Sequence, residues 1–369
     1  MKFLFLHMFD LDFGWGGSAS YLLALCRAVK ELGHEVRACT KRCPDRFGLS
    51  TSELAFPTHV TFGPEKRAGE RTIDEISTDE ILSLVERSVS LIKKQEFSVG
   101  VPDLIIANHI SITSLIAFAL YKEIGIPYRI ISFGTDTQLL ARDSRYVSLC
   151  RPAVEASDRI LAISDFVKRE VQATVGGRIE VIGGAVDKAL FFPSEVEPVR
   201  GRIVFVGRIV SEKGVEVLLR AFKKQRVARE LVIIGEGPQL DELKTLASDL
   251  GIAERVTFTG YVSMENIRDF IITSEVVVVP SIWEEPYGLV ALEGIACGVP
   301  VVASRVGGLP EIVRDFENGL LVPPGDIERL ASAIELLLTD RQLYSSLRGG
   351  AIASEVPDFR DLVTCLAGE

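Results

Sequence analysis

Residues 280–310 read PSIWEEPYGLVALEGIACGVPVVASRVGGLP, and the placing of glycine, proline and carboxylate in this stretch decides the fold. The apolar run Val276–Val279 leads in as the end of a strand, and Pro280 breaks it into a short loop. Tyr287-Gly288-Leu289 starts a helix that Gly298-Val299-Pro300 stops. Val301–Ala303 is a second apolar strand, and Gly307-Gly308 closes the stretch. Strand, loop, helix and strand make one βαβ unit of a parallel sheet. Glu285 lies in the loop ahead of the helix, and Glu293 follows eight residues on, about two turns in. At a rise of about 1.5 Å per residue the two carboxylates stand roughly 12 Å apart. Between them the open N–H groups at Tyr287–Leu289 offer an anion site. Such a layout suits a nucleotide sugar, which carries hydroxyls at both ends and a diphosphate in the middle. The same residues also suit an ordinary βαβ unit with two solvated glutamates.

Upstream, Ile203–Val206 is a strand, followed by Gly207-Arg208 and, before the next helix, Lys213-Gly214. Arg208 and Lys213 bracket that loop, where both can reach a diphosphate or form surface salt bridges. The N-terminal part has the same grammar. Residues 2–8 read as a strand, Phe13–Ala19 as a glycine loop containing Gly16 and Gly17, Tyr21–Leu32 as a helix and Val36–Thr40 as a strand. This is a Rossmann-type opening, although the spacing after Gly16 fails the dinucleotide fingerprint and a plain tight turn fits equally. Thr72–Lys94 reads as a solvated surface helix. His109 stands at the carboxyl end of the strand from Asp103 to Ala107, where open α/β sheets place ligands. A second strand, Tyr128–Ser132, ends in Phe133-Gly134-Thr135-Asp136, and Arg159–Ile163 and Ile179–Ile182 complete the first sheet.

At 369 residues the chain exceeds one ordinary core, and two domains of about 180 residues are expected. A hydrophobic fraction of 47% with 25% charged residues reads as globular. No apolar run approaches the roughly 20 residues of a transmembrane helix, and Met1–Leu6 reads as a buried strand, not a signal peptide. The net charge of −10, almost all of it in the second half, argues against a nucleic-acid partner. The six cysteines lack metal-ligand spacing and suit reduced thiols, so a cytoplasmic location is expected.

Glu285-Pro-Tyr-Gly-Leu-Val-Ala-Leu-Glu293, together with Ala296–Ala303, resembles the Glu-x7-Glu region of retaining nucleotide-sugar glycosyltransferases of family four. The resemblance is strong across the second half of the chain and holds in outline across the first. It implies an α/β chain of the GT-B class, with two Rossmann-like domains facing each other across a cleft. An acceptor-binding domain would span residues 1–190 and a donor-binding domain 195–355. A final helix at about 356–369 would pack back on the first. The activity implied is transfer of a sugar from a nucleoside diphosphate, most often uridine in such relatives, to a small-molecule, glycan or lipid-linked acceptor. No cofactor or metal is expected. Asp10 and Asp12 match a metal pair only superficially, because protein cations take that role in the GT-B class. The resemblance places Gly16, Gly17, Arg208, Lys213, Val262, Glu285, Tyr287, Gly288, Leu289 and Glu293 at the donor, with Glu285, Arg208 and Lys213 catalytic. Glu285 would hold the transferring sugar and Glu293 the ribose. His109, Phe133 and Asp136 fall on the acceptor side. Phe133 replaces a histidine of the resembled His-Gly-x-Asp, which implies tolerance of donors lacking the outer hydroxymethyl oxygen. A GT-B epimerase or phosphorylase, or a nucleotide-sugar-binding protein without turnover, are the alternative readings.

Overall fold

The structure is a computed structural model that describes residues 1–8, 17–40, 50–53, 60–61, 71–72 and 75–368. Gly16, Asp10 and Asp12 therefore lie outside the described residues. The chain divides into two compact units, Met1–Gly183 with Phe359–Glu369, and Gly184–Asp358.

The first unit carries β1 (Lys2–Leu6), α1 (Gly17–Glu31), β2 (Glu35–Thr40), β3 (Ser50–Glu53), β4 (Val60–Thr61), β5 (Arg71–Thr72) and α2 (Thr78–Gln95). There follow β6 (Leu104–Asn108), α3 (Ile112–Ile124), β7 (Tyr128–Ser132), α4 (Thr135–Arg142), α5 (Ser144–Ala156), β8 (Ile160–Ala162), α6 (Asp165–Thr174) and β9 (Ile179–Val181). Seven strands form one parallel sheet in the order β3-β2-β1-β6-β7-β8-β9, and β4 pairs with β5 alone. The central strands β1 and β6 are near-continuous apolar runs because helices cover both faces of a parallel sheet. In β1, Phe3, Leu4, Phe5 and Leu6 are all fully buried. The helix α2, expected as a solvated surface helix, is a two-sided element. Its charged face stays outside while Ile81, Leu84, Val85, Val89 and Ile92 are buried, the i, i+3, i+4 stripe of a core-facing helix.

The second unit runs β10 (Arg202–Val206), α7 (Val215–Lys224), β11 (Glu230–Ile234), α8 (Leu240–Asp249), β12 (Val256–Gly260), α9 (Met264–Ile272) and β13 (Val276–Val279). It continues through α10 (Leu289–Ala296), β14 (Val301–Ser304), α11 (Leu309–Ile312), β15 (Gly319–Val322), α12 (Ile327–Thr339) and α13 (Arg341–Ile352). The last helix, α14 (Phe359–Ala367), belongs to the first unit. The second sheet is parallel in the order β12-β11-β10-β13-β14-β15. Side chains alternate between two buried faces. Ile203, Phe205, Val276 and Val278 face one core layer, while Val204, Val277, Val279 and Val301 face the other.

In both sheets the winding reverses beside the first strand, at β1/β6 and at β10/β13. Loops leaving the carboxyl ends of the two strands at such a point diverge and open a crevice for ligands. In the second unit those loops are 207–214 and 280–288, which carry the candidate site.

Candidate active site

Two backbone approaches bring these loops together. The N–H of Ile282 donates to the Glu212 carbonyl at 2.9 Å. Gly214, at φ +67°, brings its Cα so near the Pro280 carbonyl that a Cβ would sit 2.0 Å from that oxygen. Only glycine meets both demands. Lys213 consequently faces Glu285, with its Nζ 2.9 Å from Oε1 and 2.6 Å from Oε2. The second oxygen also accepts from Ser281 Oγ at 2.9 Å and from the indole Nε1 of Trp283 at 3.1 Å. The Lys213 ammonium lies 5.6 Å from the Trp283 ring centroid. Glu285 is 8% exposed, and burial alone would raise its pKa. The Lys213 charge and the bonds from Lys213, Ser281 and Trp283 outweigh burial and hold the carboxyl below its ordinary value.

Behind Glu285 the glycine pair that closes the stretch folds back. Gly308 donates to the Glu285 carbonyl at 2.8 Å, and Gly307 to Glu284 Oε2 at 2.7 Å. The helix starts later than the sequence suggested. Gly288 takes φ +106° as the cap, and α10 begins at Leu289 with no side-chain cap bond. Its first N–H groups therefore point outward along the axis with the positive end of the helix dipole. Glu293 lies one turn into α10, so the helical rise between the two glutamates covers only the last half of their separation. No hydrogen bond or ion pair reaches the Glu293 carboxyl among the described residues. Although its side chain is only half-buried, the poorly solvated surroundings of the carboxyl push it up to about 8.

Arg208 is exposed just past β10. Val262, past β12, is half-buried against the core. Tyr287 presses its ring onto Gly184, where a Cβ would stand 2.0 Å from the ring carbon Cε1. Thus Lys213 and Glu285 meet directly, and Tyr287, Gly288 and Leu289 lead from Glu285 into the helix start. Ser281 and Trp283 escaped the sequence reading. Their signal is spacing: in an extended loop, residues two and four places before Glu285 point to its side.

In the first unit Gly17 is the first residue of α1. His109 is buried and held at φ +74°, a left-handed conformation costly for a side-chain-bearing residue. Asp136 fixes it there. Its carboxylate accepts from Ile110 N at 2.8 Å and Gly134 N at 2.9 Å, and lies 3.8 Å from His109 Nδ1. Burial would raise the Asp136 pKa, but His109 and the Ile110 amide together lower it. Phe133 is buried, edge-on to Tyr21 at 5.2 Å and tilted against His109 at 5.1 Å between ring centroids. Among the described residues no three His, Cys, Asp or Glu side chains cluster as a metal site, and no helix is long and apolar enough to cross a membrane.

Residues 187–353 match the model of the family described as Glycosyl transferases group 1, and residues 15–190 that of Glycosyltransferase Family 4. The chain is 30% identical over 366 residues to the D-inositol 3-phosphate glycosyltransferase 2 of Catenulispora acidiphila, covering 88% of this chain and 82% of that protein. It is 26% identical over 365 residues to the N-acetyl-alpha-D-glucosaminyl L-malate synthase of Bacillus anthracis, covering 94% and 90%. Several other curated relatives match over shorter stretches, in which the chain spans 36 to 50% of their length. Among solved structures, Anabaena Alr3699/HepE in complex with UDP superposes with a TM-score of 0.79 at 20% identity, covering 100% of this chain and 99% of that one. That likeness shows the GT-B fold.

Proposed function

The chain belongs to the group 1 glycosyltransferases, and on that premise we propose that it transfers a sugar with retention from a nucleoside diphosphate to a hydroxyl acceptor. The observation that carries this reading is the Lys213–Glu285 pair at the β10/β13 switch point, immediately before the open start of α10. A diphosphate at that helix start would meet Lys213, Arg208 and the outward N–H groups. Together they would stabilise the negative charge that grows as the sugar C1–O bond to phosphate breaks. The acceptor oxygen forms the new bond to C1 on the same face, and its proton passes to the departing phosphate oxygen. Charge stabilisation by Arg208, Lys213 and the helix end supports transfer without a metal ion or cofactor. Glu285 would accept hydrogen bonds from the transferring sugar, and Glu293 from the ribose. Val262, Gly16 and Gly17 are proposed as further donor contacts, and His109, Phe133 and Asp136 as the acceptor side.

We take UDP as the nucleotide, supported by the UDP complex of the Anabaena protein. The names of the two full-length relatives, with D-inositol 3-phosphate and L-malate, support small polar acceptors ahead of glycan or lipid-linked ones. A calorimetric screen of UDP, GDP and ADP, followed by mass spectrometry of their sugars with and without acceptors, tests the reading. Binding of UDP and turnover of a UDP-sugar are expected. Failure of all three nucleotides to bind would overturn it. Running Phe133→His in the same screen tests whether Phe133 relaxes the demand for the outer hydroxyl.

A further inference from the structure

The two oxygens of Glu285 have unequal surroundings. Oε2 is held by three donors, Lys213, Ser281 and Trp283, whereas Oε1 meets Lys213 alone among the described residues. Ser281 is fully buried two residues past the end of β13, so its hydroxyl is a fixed donor. The indole N–H has no acceptor role and can only donate. Both donors belong to the same loop as Glu285 and move with it. Lys213 differs, because it reaches in from the other loop on a flexible stem and can turn to a stronger anion.

We propose that Ser281 and Trp283 are positioning residues that clamp Glu285 through Oε2, and that Lys213 is a removable occupant of Oε1. When a diphosphate draws Lys213 away, Oε1 becomes the acceptor for a sugar hydroxyl, while the clamp keeps the carboxylate aimed. The second half of this statement rests on the proposed function; the clamp itself does not. The arrangement makes donor binding and exposure of the sugar contact one event. A donor-free site holds its carboxylate neutralised, and the anion that arrives with the sugar releases it.

The chain has two tryptophans, Trp15 and Trp283. In a Trp15→Phe background, Trp283 emission therefore reports the charge beside its indole. Its emission should titrate with Glu285 in acid, and Ser281→Ala should move that midpoint up by about one to two pH units, the worth of one hydrogen bond to a charged group. Ser281→Thr, which retains the hydroxyl, should restore the parent midpoint. Adding UDP should shift Trp283 emission as Lys213 leaves the ring. In turnover, Ser281→Ala and Trp283→Phe should each lower kcat by at least about tenfold while UDP affinity stays within about twofold. An unmoved midpoint in Ser281→Ala overturns the clamp. UDP that binds by calorimetry without changing Trp283 emission overturns the displacement of Lys213. UDP that does not bind at all overturns the functional reading, and the midpoint still decides the clamp.

Discussion

Glu293 is a carboxyl that burial keeps protonated up to about pH 8, half-covered and without a cation beside it. Its folded pKa lies above the ordinary 4.5, so the folded chain holds a proton that the unfolded chain releases. The stability this contributes is complete below about pH 4.5 and is lost as the pH rises through about 8. Glu293→Gln imitates the neutral acid. Its melting temperature should match the wild type at pH 5 and exceed it at pH 9; an identical offset at both pH values would contradict the assignment. Ribose hydroxyls donating to the ionised carboxylate would make UDP binding release a proton below pH 8, which calorimetry in buffers of different ionisation enthalpy detects. For Arg208→Ala and Lys213→Ala, lost charge-assisted hydrogen bonds worth roughly 1.5–3 kcal/mol should each lower transfer at least about tenfold. Full activity with unchanged UDP affinity in both variants would mean that the diphosphate lies elsewhere. These side chains were open to sequence reading as types and spacings. The ion pair between Lys213 and Glu285 was not, because 72 residues separate the partners and only the sheet order brings their loops together.

At the scale of elements, what was legible followed from periodicity. The runs Tyr128–Ser132 and Val276–Val279 are strands over the expected residues, since a parallel sheet buries both faces and Arg129 is the one charged residue in either run. Asp326, directly before an apolar-periodic segment, caps α12 by accepting from Arg329 N at 2.9 Å. The start of α10 was misjudged because Tyr287-Gly288-Leu289 fits a helix in composition. Gly288 instead takes a left-handed turn, packed where a Cβ would meet Leu309 Cδ2 at 2.4 Å. Gly288→Ala should therefore destabilise the chain by roughly 1–3 kcal/mol and swing the helix start off its line. A lowered urea midpoint together with weakened UDP binding is the expected pair of results; an unchanged midpoint would show that the turn tolerates a side chain. The helices α4 and α5 went unread, being joined with no intervening loop. Asp143 ends the first and, by accepting from Arg145 N, caps the second.

At the scale of the molecule, the first unit is assembled from both ends of the chain. Phe359, Leu362, Val363 and Leu366 of α14 are buried in it, and the Arg129 guanidinium bonds the carbonyls of Cys365 and Leu366. Ending the chain at Asp358 would expose apolar surface worth on the order of several kcal/mol. Hydrogen exchange should then quicken in β1, α1 and β7 while β10 to β15 keep their protection; equal loss in both units would show that they do not melt separately. A ribosome meets the same arrangement in time. The strands of the first unit leave the exit tunnel early, but the helix that completes their core is made only after the whole second unit. At about 5–20 residues per second that wait lasts roughly ten to thirty seconds. Throughout it, the surface later covered by α14 stands open to water on a tethered nascent chain. A chaperone that captures apolar surface has that interval in which to act, and the emergence of α14 ends it.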